Sequence, residues 1–118
     1  MTSLSTDIKA ILTAGGMTNI YRGDKPADTD NIIAIFQSGG YPRSMSGTKV
    51  EEPTFQIIVR NTGYDAGITV CDAVKNLLHA ASTTRILMIQ QQGDTLDLGK
   101  DQNNRHEFSL NFRCYYRR

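Results

Sequence analysis

Between His106 and Arg117 the chain alternates strictly, with Phe108, Leu110, Phe112, Cys114 and Tyr116 on one phase and Glu107, Ser109, Asn111, Arg113 and Tyr115 on the other. Side chains leave an extended strand on opposite faces in turn, so this stretch predicts a long strand with one buried and one open face. Such a strand needs neighbours beside it and a layer over its apolar side, which the rest of the chain must supply.

Three further stretches read as strands: residues 19–22, residues 31–37 (NIIAIFQ), and residues 54–60, where Phe55, Ile57 and Val59 alternate with Gln56, Ile58 and Arg60. The first two, joined by GDKPADTD, suggest a hairpin. Residues 84–91 (TRILMIQQ) give another strand, Gly93-Asp94 a turn, and residues 95–98 a short strand or bend before a polar loop over residues 99–105. Two helices are expected. Ser5 can cap one that carries Ile8, Ile11 and Leu12 and stops at Gly15-Gly16. Residues 64–81 form the main helix, with Val70, Cys71, Val74, Leu77, Leu78 and Ala81 on one stripe and Asp65 at the cap. The order αβββαβββ implies an α+β fold, a mostly antiparallel sheet with the main helix packed on one face.

A chain of 118 residues buries roughly two thirds of its unfolded surface, so residues 1–118 are expected to form one domain. Thirteen Lys and Arg against twelve Asp and Glu give a net charge of +1, too little to draw the protein to a duplex or an anionic bilayer. No apolar run approaches the roughly 20 residues that span a membrane. Residues 1–7 lack the basic start and apolar stretch of a secretory signal, which points to the cytoplasm. Cys71 and Cys114 have no metal or redox spacing, and their apolar phases make them buried thiols.

Catalytic and cofactor chemistry is not visible. His79 and His106 have no second ligand at metal spacing, and the acidic residues are scattered through turns. Gly15-Gly16 and Gly39-Gly40 fit no phosphate-binding pattern, and Ser44, Ser46 and Thr48 have no neighbouring base. No enzyme activity, metal or cofactor is expected. The cluster Tyr115, Tyr116, Arg117 and Arg118 could stack on single-stranded nucleic acid, but a solvated strand end explains it as well. Residues 38–53 (SGGYPRSMSGTKVEEP) exceed the roughly 12 to 15 residues usual for a connection in a compact domain, which suggests a loop that orders on a partner, with plain surface disorder as the alternative.

Two stretches carry a family resemblance. Glu52-Pro53-Thr54-Phe55-Gln56-Ile57 through Val59-Arg60, then Tyr64 and Asp65, resembles the central signature of the bacteriophage minor capsid or tail terminator proteins. Leu98-Gly99-Lys100-Asp101 and the segment from Arg105 through Phe112 are similar to that family's final strand. The resemblance implies a non-catalytic virion subunit, assembled in the host cytoplasm. It would form a homo-oligomeric ring, typically a hexamer, at the head-proximal end of the tail tube. Its expected partners are further copies of itself, the tail tube protein and the head connector, with DNA only passing through the lumen. A head-side connector or neck protein is the nearest alternative, and a small nucleic-acid-binding module a more distant one.

A ring subunit needs complementary patches on one chain. The expected interface residues are Tyr41 as an aromatic anchor with Arg43 and Lys49 at its rim. Arg60, Arg105 or Arg113 would pair with Asp97, Asp101 or Glu107 across the subunit boundary.

Overall fold

The computed structural model describes residues 4–40 and 50–117. The elements run α1 (Leu4–Ala14), β1 (Ile20–Arg22), β2 (Ile32–Gly40), β3 (Val50–Glu51), β4 (Pro53–Asn61), α2 (Tyr64–Leu78), β5 (Ile86–Lys100) and β6 (His106–Arg117). The α+β class stands, while the order becomes αββββαββ.

The alternating strand lies inside the sheet. β6 pairs antiparallel with β4 on one flank, where Phe112 faces Phe55 and Leu110 faces Ile57, and with β5 on the other, where Cys114 faces Ile89. β2 extends the sheet beyond β4, β1 follows β2, and β3 continues the line of β4 along the last residues of β6. Both helices cover one face. Leu4, Ile8 and Leu12 of α1 and Cys71, Val74 and Leu78 of α2 pack onto Phe55, Ile57, Val59, Phe108, Leu110, Phe112 and Cys114. Phe55 and Phe112, opposite one another in the register, stack with ring centroids 5.2 Å apart. At such a buried pair, truncating either ring to alanine removes about 3–5 kcal/mol. Cys71 and Cys114 are buried free thiols in this core. Among the described residues no helix covers the opposite face, which carries a small cluster of Ile32, Ala34 and Ile58 flanked by Tyr21 and Phe36.

Several local expectations are corrected. β1 and β2 run parallel instead of forming a hairpin. With β1 only three residues long, the return covers about 10 Å, short enough for residues 23–31 to span as a strap without a helix. Gly93-Asp94 does not turn the chain. β5 runs on as a fifteen-residue strand, and its four steps from Gln92 to Leu96 face two steps of β6 as a bulge. Gly93 takes φ +74°, which glycine adopts without strain, and Asp94 Oδ1 accepts the Thr95 N–H at 2.7 Å. β6 is an unbroken template, so continuing the ladder saves more hydrogen bonds than a turn would.

α2 is capped at Gly63 with no side-chain bond, and Asp65 lies in its first turn, where a carboxylate still favours the helix dipole. The helix ends at Leu78, earlier than the apolar stripe suggests, because the following residues bond to β5: Ala80 N–H donates to Ile89 O at 2.7 Å and Thr83 N–H to Ile86 O at 2.8 Å. α1 already begins at Leu4, so Ser5 lies within it. The loop expected over residues 38–53 is shorter, since Gly40 still pairs with Pro53 and residues 50–51 join β6.

Candidate functional site

One long margin of the molecule is built differently from the rest. β5 is an edge strand, and the residues after α2 occupy only the start of its outer side. There Ala80 and Thr83 donate to its carbonyls, and Gln91 N–H donates to His79 Nδ1 at 3.4 Å. Beyond Gln91 no further strand pairs with the outer side among the described residues. Asp94 and Asp97 instead turn onto their own backbone, Asp97 accepting the Gly99 N–H at 2.8 Å. Bulges and local carboxylates blunt an edge against indiscriminate pairing while leaving its side chains available. Several of the exposed side chains along β5 are apolar. Leu96 and Leu98 are 57% and 48% exposed, Leu87 and Met88 are also exposed, and the remaining exposed large hydrophobic residue among those described, Tyr64, lies over His106 and Phe108 at the same margin.

Beside Leu96 and Met88 runs the open phase of β6. Met88 faces Tyr115 and Leu96 faces Ser109. Arg113 lies between them, its guanidinium 5.9 Å from the Tyr115 ring centroid and its Nη1 donating to the Tyr115 hydroxyl at 3.3 Å. Ser109 is buried and accepts from Gln56 Nε2 at 2.8 Å. On the helix side of the same margin Lys75 Nζ bridges Asp94 at 3.0 Å and Asp72 at 3.2 Å, tying α2 to the bulge. These contacts raise the Lys75 pKa and lower that of Asp94, in each case chiefly through their shared hydrogen bond.

The expected interface residues are scattered. Tyr41, Arg43 and Lys49 lie outside the described residues. Arg113 lies on the helix-free face. Arg60 and Arg105 are instead buried inside the chain at the other end of the sheet, 3% and 4% exposed. Arg105 Nε donates to Asp101 Oδ2 at 2.8 Å and its Nη1 to Ala27 O at 2.8 Å and Thr29 O at 3.3 Å, while Arg60 Nη2 donates to Pro26 O and Thr29 O. Both guanidiniums fasten the strap over the outer face, so the donors that hold it are committed within the subunit, while Arg60 Nε makes no hydrogen bond among the described residues. Asp101 accepts the backbone N–H groups of Arg105 and Asn103 as well as Arg105 Nε; these bonds, the Arg105 N–H foremost, hold its carboxyl below the usual range. Glu107 is paired with Lys25 of the strap at 2.9 Å, leaving Asp97 as the expected acidic partner without an ion pair among the described residues. Leu96 and Leu98 alternate with Thr95 and Asp97, so their period announced a strand without showing that this end of it has no covering layer. Among the described residues no three His, Cys, Asp or Glu side chains gather as a metal site. No described helix is long and apolar enough to cross a membrane.

A two-layer α+β subunit with one sheet face that no described helix covers and a blunted margin carrying exposed apolar side chains has the character of an assembly component. The model of the bacteriophage tail terminator protein family matches residues 4–118, and the chain belongs to that family. It is therefore a structural tail component of the virion. A chain from the virion of a native gene transfer agent particle has the same fold, with a TM-score of 0.74 at 14% identity over 98% of this chain and 96% of that one. No curated protein matches the sequence.

Proposed function

We propose that this subunit closes into a homo-oligomeric ring, a hexamer, at the head-proximal end of the tail tube, where it ends tube polymerisation and presents a surface to the head connector. The family match over residues 4–118 carries the reading. Three structural features support it. The exposed apolar side chains are concentrated on β5, away from the opposite edge at β1, so one copy can offer β5 to a different surface of the next. Such a head-to-tail contact closes into a ring when its rotation divides a circle. Near-zero net charge lets like subunits approach, and the bulged edge restricts which surface can dock.

Within this reading Leu96, Leu98 and Met88 form the apolar centre of the seam and Arg113 its polar flank. Tyr41, Arg43 and Lys49 are proposed to meet the tube or a neighbouring copy, and Asp101, Arg60 and Arg105 act on the interface through the strap they hold. The subunit works by shape and catalyses nothing.

Disrupting the gene in the phage genome that carries it and imaging the lysate by negative-stain electron microscopy tests the role. Filled heads beside separate, overlong tails are expected. Tails of normal length that fail to join heads would move the protein to the head side of the neck, and intact infectious particles would remove it from assembly.

A further inference from the structure

On the helix-free face at the strap end of the sheet, Ile32, Arg60, Glu107 and Gly99 form one row across β2, β4, β6 and β5. Side chains directly opposite on antiparallel strands share a face, with Cβ atoms about 4.5–5.5 Å apart, so the Arg60 guanidinium and the Glu107 carboxylate are natural partners. They are not paired. Arg60 Nη2 donates to Pro26 O and Thr29 O, while its buried Nε makes no hydrogen bond among the described residues. Glu107 is taken by Lys25 of the strap at 2.9 Å, although the Lys25 side chain is 38% exposed and Arg60 only 3%.

The buried cation thus rests on neutral carbonyls and the exposed one holds the carboxylate. An exposed lysine pair contributes little and is screened by salt. A buried guanidinium with an unmade bond is costly, and a carboxylate can meet it with two parallel charge-assisted bonds. The alternative pairing is therefore close in free energy, since Arg60 would exchange two carbonyl bonds for two bonds to Glu107. It excludes the present one. Both Nη2 hydrogens are on the strap, so turning the planar guanidinium toward Glu107 withdraws them.

Arg105 limits how far the strap can move. Its Nη1 donates to Ala27 O at 2.8 Å and Thr29 O at 3.3 Å, and Asp101 accepts from its Nε at 2.8 Å. Thr29 O keeps a donor when Arg60 leaves, and the part of the strap that is freed is residues 24–26.

We propose that the first half of the strap is a latch with two settings, chosen by which cation holds Glu107. With Lys25 on Glu107 the strap is seated on Arg60. With Arg60 on Glu107, residues 24–26 lift and pivot where Arg105 grips Ala27 and Thr29. Lys25 is the handle: a group that draws it from Glu107 lifts the strap. These contacts lie within one chain and do not depend on the assembly role.

The test measures amide hydrogen exchange across residues 23–31 of the full chain, together with the NMR signal of the Arg60 Nε–H. Lys25→Met and Glu107→Gln remove the same ion pair from its two ends, and a simple tie would loosen equally under both. The latch separates them. Lys25→Met leaves Glu107 to Arg60, so exchange at residues 24 and 25 should rise about fivefold or more and the Nε–H signal should shift. Glu107→Gln leaves Arg60 on the strap, so exchange there should stay within about twofold of the parent. Raising sodium chloride from about 0.05 M to about 1 M should move the parent in the direction of Lys25→Met. Equal loosening by both substitutions, an Nε–H shift without faster exchange, or a salt-insensitive parent would each overturn the proposal. The salt series needs no substitution, so it decides the matter if a variant fails to fold.

Discussion

A Cβ built on Gly67 of α2 would lie 2.5 Å from Cε2 of Phe108 on β6, closer than carbon atoms approach without displacement. Gly67 is the point at which the main helix reaches the sheet, and the Phe108 ring fills the space that any larger residue would need. The ring is itself held by Tyr64, edge-on with centroids 5.6 Å apart. In an open helix Gly→Ala stabilises by about 1 kcal/mol, but displacing a buried ring costs about 1–3 kcal/mol. Gly67→Ala should therefore be destabilising on balance, read as a lower urea midpoint with an unchanged slope. A gain in stability would mean that the ring moves aside freely.

The strap gives a second expectation. Arg105→Met removes the partner of Asp101 and the donor to two strap carbonyls, so the strap should loosen at this end of the sheet. Limited proteolysis should then cut within residues 23–31 before any other site. Cleavage elsewhere first would show that Arg60 alone secures the strap.

Alkaline pH should unfold the protein through three buried groups. Burial pushes the Cys71 and Cys114 thiols up to about 12, and burial together with the bond from its hydroxyl to Asp7 pushes Tyr116 to about 12. Each has a folded pKa above its unfolded value, so each contributes fully below about pH 8.5–10 and its contribution is lost as pH rises towards 12. Urea midpoints should be flat between pH 7 and 8 and fall steadily above pH 9. Cys71→Ala and Tyr116→Phe should each flatten that fall, whatever they do to stability at neutral pH.

Changes at the margin should separate folding from assembly. Leu96→Glu with Leu98→Glu alters two exposed side chains, so the thermal midpoint should stay within a few degrees of the parent while ring formation and phage yield drop. Arg113→Glu should weaken assembly in a salt-dependent way, because the charge lies on the open face. Sedimentation velocity of each variant at low and high salt, set beside its melting curve, reads both effects. Assembly equal to that of the parent would remove β5 from the seam.

Periodicity carried most of the fold. The stripe on α2 and the alternation of β4 and β6 correctly placed Cys71, Val74, Phe55, Ile57 and Phe112 in the core, because burial on one face writes itself directly into residue type. Direction and partnership are not written that way. Nothing local tells residues 19–22 to run parallel to β2, since that depends on a strap fastened by Arg60 and Arg105 from distant parts of the chain. Glycine and aspartate at residues 93–94 serve a bulge as well as a turn, and only the unbroken β6 alongside decides between them. For the same reason Arg60 and Arg105 read as free surface charges: a lone basic residue in a strand or loop does not reveal that carbonyls from residues 26–29 will fold over it.

The double pairing of β6 also orders events in time. β4 waits for a neighbour on one side and β5 on the other, and both find the same strand, which leaves the ribosome after them. A nascent chain that ends before His106 can pair β1, β2 and β4 and lay its helices on them, yet it leaves β5 without a partner strand, and contacts between segments so far apart in sequence form slowly. The complete sheet therefore exists only after residues 106–117 have been made, and β5, although translated first, has no strand on either side until β6 arrives to hold it.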